Sequence, residues 1–402
     1  MTEILAPVGN HTMLATAIKA KADAVYFGIK GINMRAAAKN FEIGELSKVV
    51  SKCHDNNVKA YLTVNTIVYD DEIEKIRKIL VAAKDAKIDA IICWDMAVIN
   101  LCNSLGLAIN VSTQASVSNF EAVKQFYELG ARAVVLAREL SLDQIKTIID
   151  LVKKEKMDIK IECFIHGAMC VAISGRCFMS QFTFGKSANR GECLQPCRRE
   201  YEVTDTDRQY GLKLGSKYVM SPKDLCTAEI FDKLVDAGID IFKIEGRGRN
   251  PEYVKCTVEV YKKLLKEYTD TKAISEESKK EAVANLKKVY NKELHTGFYL
   301  GTPTSNDYAQ MYGSASLTKK DYIGIVTNFF KKINVAELLV ETKELAIGDK
   351  VMIQGPTTGC IEFTIEELQI EHNNVKKAIK GQQVAVKIND IVRPKDKLFK
   401  IY

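Results

Sequence analysis

Short apolar runs recur along the first part of the chain at Glu3–Pro7, Ala24–Gly28, Lys59–Asn65, Ala90–Trp94, Ala108–Val111, Ala133–Leu136, Ile159–Ile165 and Ile239–Ile244. They are rich in Val, Ile and Tyr, as strands of a buried parallel sheet are. Between most of them lie amphipathic stretches with apolar residues at helical spacing, among them Asp71–Lys87, Asn119–Gly130 and Ser141–Lys156. Eight strands joined by helical crossovers predict a closed (β/α)8 barrel over residues 1–300. The competitor is an open doubly wound sheet, but no glycine-rich phosphate-binding turn follows any of the strands.

One connection breaks the rhythm. The segment 166–222, between the strand ending near His166 and a helix expected near Lys223, has little periodicity and many Cys, Gly and Arg residues. A loop that long inside a compact domain is usually functional, and in a barrel it emerges at the C-terminal strand ends, where active sites form. Two Lys-rich helical stretches follow, Glu252–Tyr268 and Glu276–Glu293, and residues 301–320 read as a linker. From 321 to 402 the pattern changes to alternation (IGIVTNFF, NVAELLV, DKVMIQ, CIEFTIEEL, QQVAVKI, KLFKIY), which predicts a small antiparallel β-barrel. Its phrases LAIGDKVMIQGP, KGQQVAVKI and PKDKLFKI resemble the β-barrel domain common among translation factors.

The 402 residues suffice for two or three domains, and 47% hydrophobic with 27% charged residues is ordinary for a globular protein. No apolar run approaches the roughly 18 residues that span a bilayer. The opening MTEILAPVGN reads as a first strand rather than a secretory signal, so the expected address is the cytoplasm, with no membrane partner. The net charge of +7 is compatible with nucleic acid or anionic metabolites without singling out either.

The chain has eleven cysteines. In a reducing compartment, clustered cysteines are read first as metal ligands or catalytic groups. Cys53, Cys93, Cys102, Cys256 and Cys360 stand singly in periodic segments as small hydrophobes, and Cys163 alternates within a strand. The irregular segment leaves Cys170-x6-Cys177-x15-Cys193-x3-Cys197, with Cys226 just beyond. Four thiolates without histidine suit an iron–sulfur cluster or a structural zinc, and free thiols are a third reading. A position over the catalytic face favours a redox centre.

The stretches ECFIHGAMCVAISGRCFMS (Glu162–Ser180), NRGECLQPCRREY (Asn189–Tyr201), SPKDLC (Ser221–Cys226) and FKIEGRGRNPEYV (Phe242–Val254) resemble the family catalogued as collagenase-like peptidase U32, as do LAPVGN and DAVYFG. Within it the architecture is similar to the prephenate-dependent tRNA hydroxylases, which convert the wobble uridine (position 34) to 5-hydroxyuridine without oxygen. The resemblance implies a [4Fe-4S] cluster on Cys170, Cys177, Cys193 and Cys197, with Cys226 in reserve because a related group uses a later cysteine. It also implies prephenate as co-substrate, tRNA bound at its anticodon region, and an electron donor. Longer relatives hydroxylate a cytidine of ribosomal RNA, and another branch acts as a heterodimer. A paralogue or a second copy of this chain is therefore a candidate partner. The family's older name implies a peptidase instead, but no HExxH or GxSxG motif and no Cys–His pair of nucleophilic character is present.

Other groups near the predicted barrel mouth carry two readings each. His166 and Glu162 share a strand face by the two-residue period, as a proton-transfer pair or as a buried structural pair. Lys243, Glu245, Arg247 and Arg249 alternate through the last strand and its exit. Buried charges there must pair or meet a ligand. Glu245 joins Glu162 and His166 as a candidate catalytic group. Arg247, with its planar fork, is the best candidate for an anion, and Lys243 with Glu245 is a candidate structural ion pair. Asn65, Gln114 and Arg138 follow strands three, five and six, as substrate contacts or as caps. His11, His54, His295 and His372 have no ligand spacing. Basic stretches at Lys255–Lys292 and Lys376–Lys387, with Arg190, Arg198 and Arg199, are candidate tRNA contacts or solvated faces.

Overall fold

The computed structural model describes residues 2–36, 38–202, 206–207, 220–311 and 313–402. Residues 203–205 and 208–219 of the predicted cysteine segment, and residue 312 of the predicted linker, lie outside the described residues. The strands are β1 (Glu3–Pro7), β2 (Ala24–Gly28), β3 (Lys59–Thr63), β4 (Ala90–Cys93), β5 (Ile109–Val111), β6 (Ala131–Val135), β7 (Lys160–Gly167), β8 (Asp224–Cys226), β9 (Ile241–Ile244) and β10 (Leu294–His295). Strands β1 to β7 and β9 are parallel neighbours, and β9 pairs with both β7 and β1, so eight strands close a barrel. The helices are α1 (His11–Lys19), α2 (Leu46–His54), α3 (Ile73–Asp85), α4 (Met96–Leu105), α5 (Phe120–Glu128), α6 (Leu142–Lys154), α7 (Met179–Phe184), α8 (Phe231–Asp236), α9 (Pro251–Thr271) and α10 (Glu276–Leu286).

Two apolar layers hold the barrel. Between strands and helices, residues such as Phe27, Leu62, Leu80, Ile91, Val134 and Phe242 form one continuous core. Inside the ring, Leu5, Tyr26, Tyr61, Ile92 and Ile241 pack against one another. At the N-terminal end of the ring Glu3 accepts from Lys59 and Lys160, both at 2.6 Å, and from Tyr61 at 2.9 Å. That network closes the end away from the candidate site. No described helix is long and apolar enough to cross a membrane.

Two expectations are corrected. The chain near Lys223 is not helical: Asp224–Cys226 forms β8, antiparallel to the end of β7, and the helix starts at Phe231. Residues 301–320 are irregular as expected but are fastened to the barrel. Ala309 N–H donates to the Ser221 carbonyl at 2.7 Å, and Leu317 N–H donates to that of Lys287 at 2.9 Å.

From Lys320 the chain builds an eight-stranded antiparallel sheet and a two-stranded ribbon. Their alternating apolar residues, including Ile323, Leu338, Val351, Ile361, Val384 and Leu398, form a separate core. This region sits against α1 and α9: Lys320 pairs with Glu252 at 2.6 Å, and Lys52 Nζ donates to the Pro356 carbonyl at 3.3 Å. One wall of the sheet therefore stands beside the barrel mouth.

Candidate functional site

A cavity of about 350 Å³ opens at the C-terminal ends of the barrel strands. Asn65, Gln114 and Arg138 line it from the loops after β3, β5 and β6, and Lys243, Glu245 and Arg247 line it from β9 and its exit. Cys170, Cys177, Cys193 and Cys197, from the long connection after β7, line the same cavity. Four thiols separated in sequence thus share one chamber with the polar groups selected from strand-end positions.

Several bonds shape the cysteine connection. Arg198 donates to the Met169 carbonyl at 2.5 Å, to Ser221 Oγ at 3.1 Å, and to the Pro222 carbonyl, joining the start, end and exit of the connection. Gly191 has φ +81°, and a Cβ there would stand 2.2 Å from the Asn33 carbonyl oxygen, so only glycine lets the connection lie against the loop after β2. Met179 N–H donates to Cys177 Sγ and Gln195 N–H to Cys193 Sγ, each at 3.4 Å. Such N–H···S bonds favour the thiolate form that binds metal. Burial pushes the Cys197 thiol up to about 11, with Cys170, Cys193 and Cys177 near enough to add to the rise and Arg198 opposing it. Among the described residues, no three Cys, His, Asp or Glu side chains already stand at metal-ligand geometry.

The chamber wall is cationic. Arg138 donates through Nη1 to the Ala168 carbonyl at 2.8 Å and lies 4.3 Å over the Phe164 ring, while its Nε and Nη2 are buried without a hydrogen-bond partner. That edge of a guanidinium is the one that meets a carboxylate with two parallel bonds. Arg247 donates to Thr63 Oγ1 at 2.9 Å and Asn33 Oδ1 at 3.1 Å, and burial brings it down to about 10, still charged at neutral pH. A Cβ on Gly28 would stand 2.7 Å from Arg247 Nη1, so this glycine makes room for the guanidinium. Burial opposes ionisation of Glu245, yet Arg35 (2.9 Å), Arg249 and Arg138 overcome it and hold the carboxyl at about 2.

Lys243 reaches the chamber wall, but its charge is spent on a buried carboxylate. Lys243 Nζ bonds to Glu162 Oε1 at 2.5 Å and lies over the Tyr26 ring at 4.6 Å. The ion pair expected between Lys243 and Glu245 is therefore corrected: Lys243 pairs with Glu162, and Glu245 with Arg35. Glu162 is fully buried and does not line the cavity, so Lys243 lies between its carboxylate and the chamber.

The expected pairing of Glu162 with His166 is corrected as well. The β7–β9 register shifts between Phe164 and His166, a bulge that breaks the two-residue alternation. His166 lies against α9, with its ring centroid 5.8 Å from that of Tyr253 and 5.7 Å from that of Tyr261, outside the chamber lining. Burial, with Arg249 adding to it, brings its imidazole down to about 3. Cys226, opposite His166 in the β7–β8 pair, is buried near Tyr261 and also lies outside the lining. The structure therefore groups the reserve cysteine with the helix packing.

Asn65 and Gln114 bond to each other at 3.2 Å, and Asn65 also to Ser112 at 3.0 Å, so they reach the chamber as a preset amide network. Arg190 bonds to Glu72 and the Ile67 carbonyl, and Arg199 lies over the Phe184 ring at 4.6 Å. Arg190 and Arg198 thus hold the connection in place, whereas Arg199 stays exposed over the Phe184 ring. Most lysines of α9 and α10 have local partners: Lys262 with Asp23, Lys263 with Glu281, Lys279 with Asp232. Arg35 was the chamber residue missing from the strand-end reading. It follows β2 in the turn GINMRAAAKN, and the rule that selects Asn65, Gln114 and Arg138 selects it too.

Comparison with known proteins adds names to this arrangement. Residues 9–309 match the sequence pattern of Peptidase family U32. A collagenase of Porphyromonas gingivalis is 43% identical over 99% of this chain and 97% of its own length. A protein of Methanocaldococcus jannaschii named an uncharacterized protease is 44% identical over 99% of this chain and 98% of its own. A tRNA hydroxylation protein of Bacillus subtilis is 35% identical over 99% of this chain and 94% of its own.

Proposed function

Because the chain belongs to Peptidase family U32, we propose that it is an RNA hydroxylase that acts on the wobble uridine of tRNA, with prephenate as the hydroxyl source and a [4Fe-4S] cluster as cofactor. The observation that carries this reading is the meeting, in one chamber, of four cysteines with a buried arginine edge that has no partner. The similarity to a tRNA hydroxylation protein over nearly the whole chain supports the RNA substrate.

The residues present fit the cofactor: Cys170, Cys177, Cys193 and Cys197 offer four thiolates, and two of them accept backbone N–H bonds of the kind that tune cluster sulfurs. A cluster held there would supply electron transfer or Lewis-acid chemistry beside the chamber. Arg138 would take a carboxylate of prephenate on its Nε and Nη2, and Arg247 would add a second fixed positive charge. Glu245, ionised by its arginine neighbours, would accept a hydrogen bond from the RNA base or the co-substrate. A wobble base already lies in a loop, so it can turn into the chamber with little unpairing.

The test is nucleoside analysis of tRNA from cells with and without the gene. Loss of 5-hydroxyuridine on deletion is expected, and unchanged 5-hydroxyuridine contradicts the assignment. Loss of a hydroxycytidine from ribosomal RNA instead would move the target to that RNA.

The collagenase and protease names of the more identical relatives favour a second reading, a peptidase. It needs a base beside a nucleophile. Four of the five histidine rings are engaged elsewhere, His11 with Glu45, His54 with Asp89, His166 with Tyr261 and His295 with Asp307, and His372 is exposed in the C-terminal sheet region, away from the chamber lining. Proteolysis by the purified protein that is lost with Cys170→Ser would restore this reading.

A further inference from the structure

A second cavity, of about 970 Å³, runs between the barrel mouth and the C-terminal sheet, with Lys395 and Lys397 on the sheet side and Lys39 and Lys292 on the barrel side. It is continuous with the chamber, because Arg35, Cys193, Gln195, Glu245 and Arg247 line both. Nine of its lining residues are Lys or Arg, and Glu245 is the single carboxylate among the described ones.

Part of that charge is already matched. Arg35 pairs with Glu245 at 2.9 Å, Arg249 with Asp224 at 3.0 Å and Lys320 with Glu252 at 2.6 Å, while Arg198 is bonded to carbonyls and a hydroxyl. Among the described residues, Lys39, Lys292, Lys395 and Lys397 have no carboxylate partner. Lys292 is only 6% exposed, and the carboxylate nearest it, Asp224, is already paired with Arg249, so an anion in the cleft improves the surroundings of this half-desolvated cation. The four lysines come from three stretches of the chain and face one another across the cleft. A single phosphate or carboxylate would meet one or two of them, whereas a chain of repeated anions meets all four.

We propose that this cleft holds the phosphodiester backbone of an RNA strand, gripped by Lys395 and Lys397 on one wall and Lys39 and Lys292 on the other, so that one base of the strand turns through the shared opening into the chamber. The occupant rests on the RNA hydroxylase reading; the charge pattern is independent of it. The lysines involved lie outside the two basic stretches that the sequence singles out, apart from Lys292.

The experiment measures binding of a fluorescent anticodon stem-loop RNA to the full-length protein across a series of salt concentrations. Lys395→Glu with Lys397→Glu is expected to weaken binding about tenfold or more, and to lower the salt slope by about 1.5, the share of two phosphate contacts. Lys146→Glu on α6, exposed and outside both the cleft and the basic stretches, is expected to keep the wild-type affinity, and an unchanged melting curve checks the fold of each variant. Affinity within twofold of wild type and an unchanged slope in the double variant would overturn the proposal. Equal competition by a poly-glutamate peptide of matched charge would overturn it too, because the cleft would then read negative charge without the RNA backbone. The two readings fail separately. Lysine-dependent binding of an RNA that is never hydroxylated leaves the cleft standing and removes the activity. Hydroxylation with unchanged kcat/KM in the double variant removes the cleft and leaves the activity.

Discussion

Arg198 Nη2 donates to the carbonyl of Met169 at 2.5 Å, so the residue after the fourth candidate thiolate holds the residue before the first. The same guanidinium reaches Ser221 and Pro222, where the chain returns to the barrel at β8. A planar fork serves three acceptors in different directions, and an ammonium does not replace it. Arg198→Lys is expected to cost about 2 kcal/mol of local stability in the connection. In metal-free protein, iodoacetamide will then label Cys170, Cys177, Cys193 and Cys197 faster, with Cys163 and Cys226 still protected. Unchanged labelling rates would contradict the clasp.

The Glu162–Lys243 pair predicts an asymmetry between single and double variants. Glu162→Gln or Lys243→Met alone leaves one buried charge without its partner, at a cost of about 3–5 kcal/mol. Combining Glu162→Leu with Lys243→Met removes both charges and is expected to recover most of that loss in chemical denaturation. Additive losses in the double variant would show that the two charges do not act as a pair.

Two buried groups make stability fall in acid. Glu245, held at about 2 against an ordinary 4.5, contributes stability that is complete above pH 4.5 and is lost as pH falls toward 2. His166, held at about 3 against 6.5, stays neutral in the fold while the unfolded chain takes up its proton, so stability falls from pH 6.5 toward 3. Between pH 6.5 and 4.5 the histidine dominates, with a slope of up to about 1.4 kcal/mol per pH unit. His166→Gln is expected to flatten that slope in urea denaturation, and an equal slope in the variant would refute the assignment.

The barrel is legible in the sequence because buried parallel strands concentrate Val, Ile and Tyr into short runs, and all eight runs coincide with strands of the closed ring. The cysteine connection is legible because it lacks any period. The direction of His166 is not, because a one-residue bulge after Phe164 reverses the alternation that a sequence reader extends. Nor is the direction of Arg190, Arg198 and Arg199: their partners Glu72, Met169 and Phe184 depend on how an irregular segment folds back. The basic cleft has no local signature, since its lysines come together only when the C-terminal sheet docks on α1 and α9.

Arg138 predicts a split between the two proposed substrates. Its Nε and Nη2 are buried, unpartnered donors in the chamber wall, so Arg138→Gln is expected to raise KM for prephenate about tenfold or more, the value of a charged bidentate contact. Affinity for the stem-loop RNA stays unchanged in the same variant. A normal prephenate KM would remove the carboxylate from this position.

Metal and sulfide analysis of anaerobically purified protein tests the four converging thiols most directly. The expected result is brown protein with about four iron and four sulfide per chain. Both are lost with Cys170→Ser, Cys177→Ser, Cys193→Ser or Cys197→Ser and kept with Cys226→Ser. Colourless protein with a single zinc, or iron content that none of the four substitutions changes, would contradict the account.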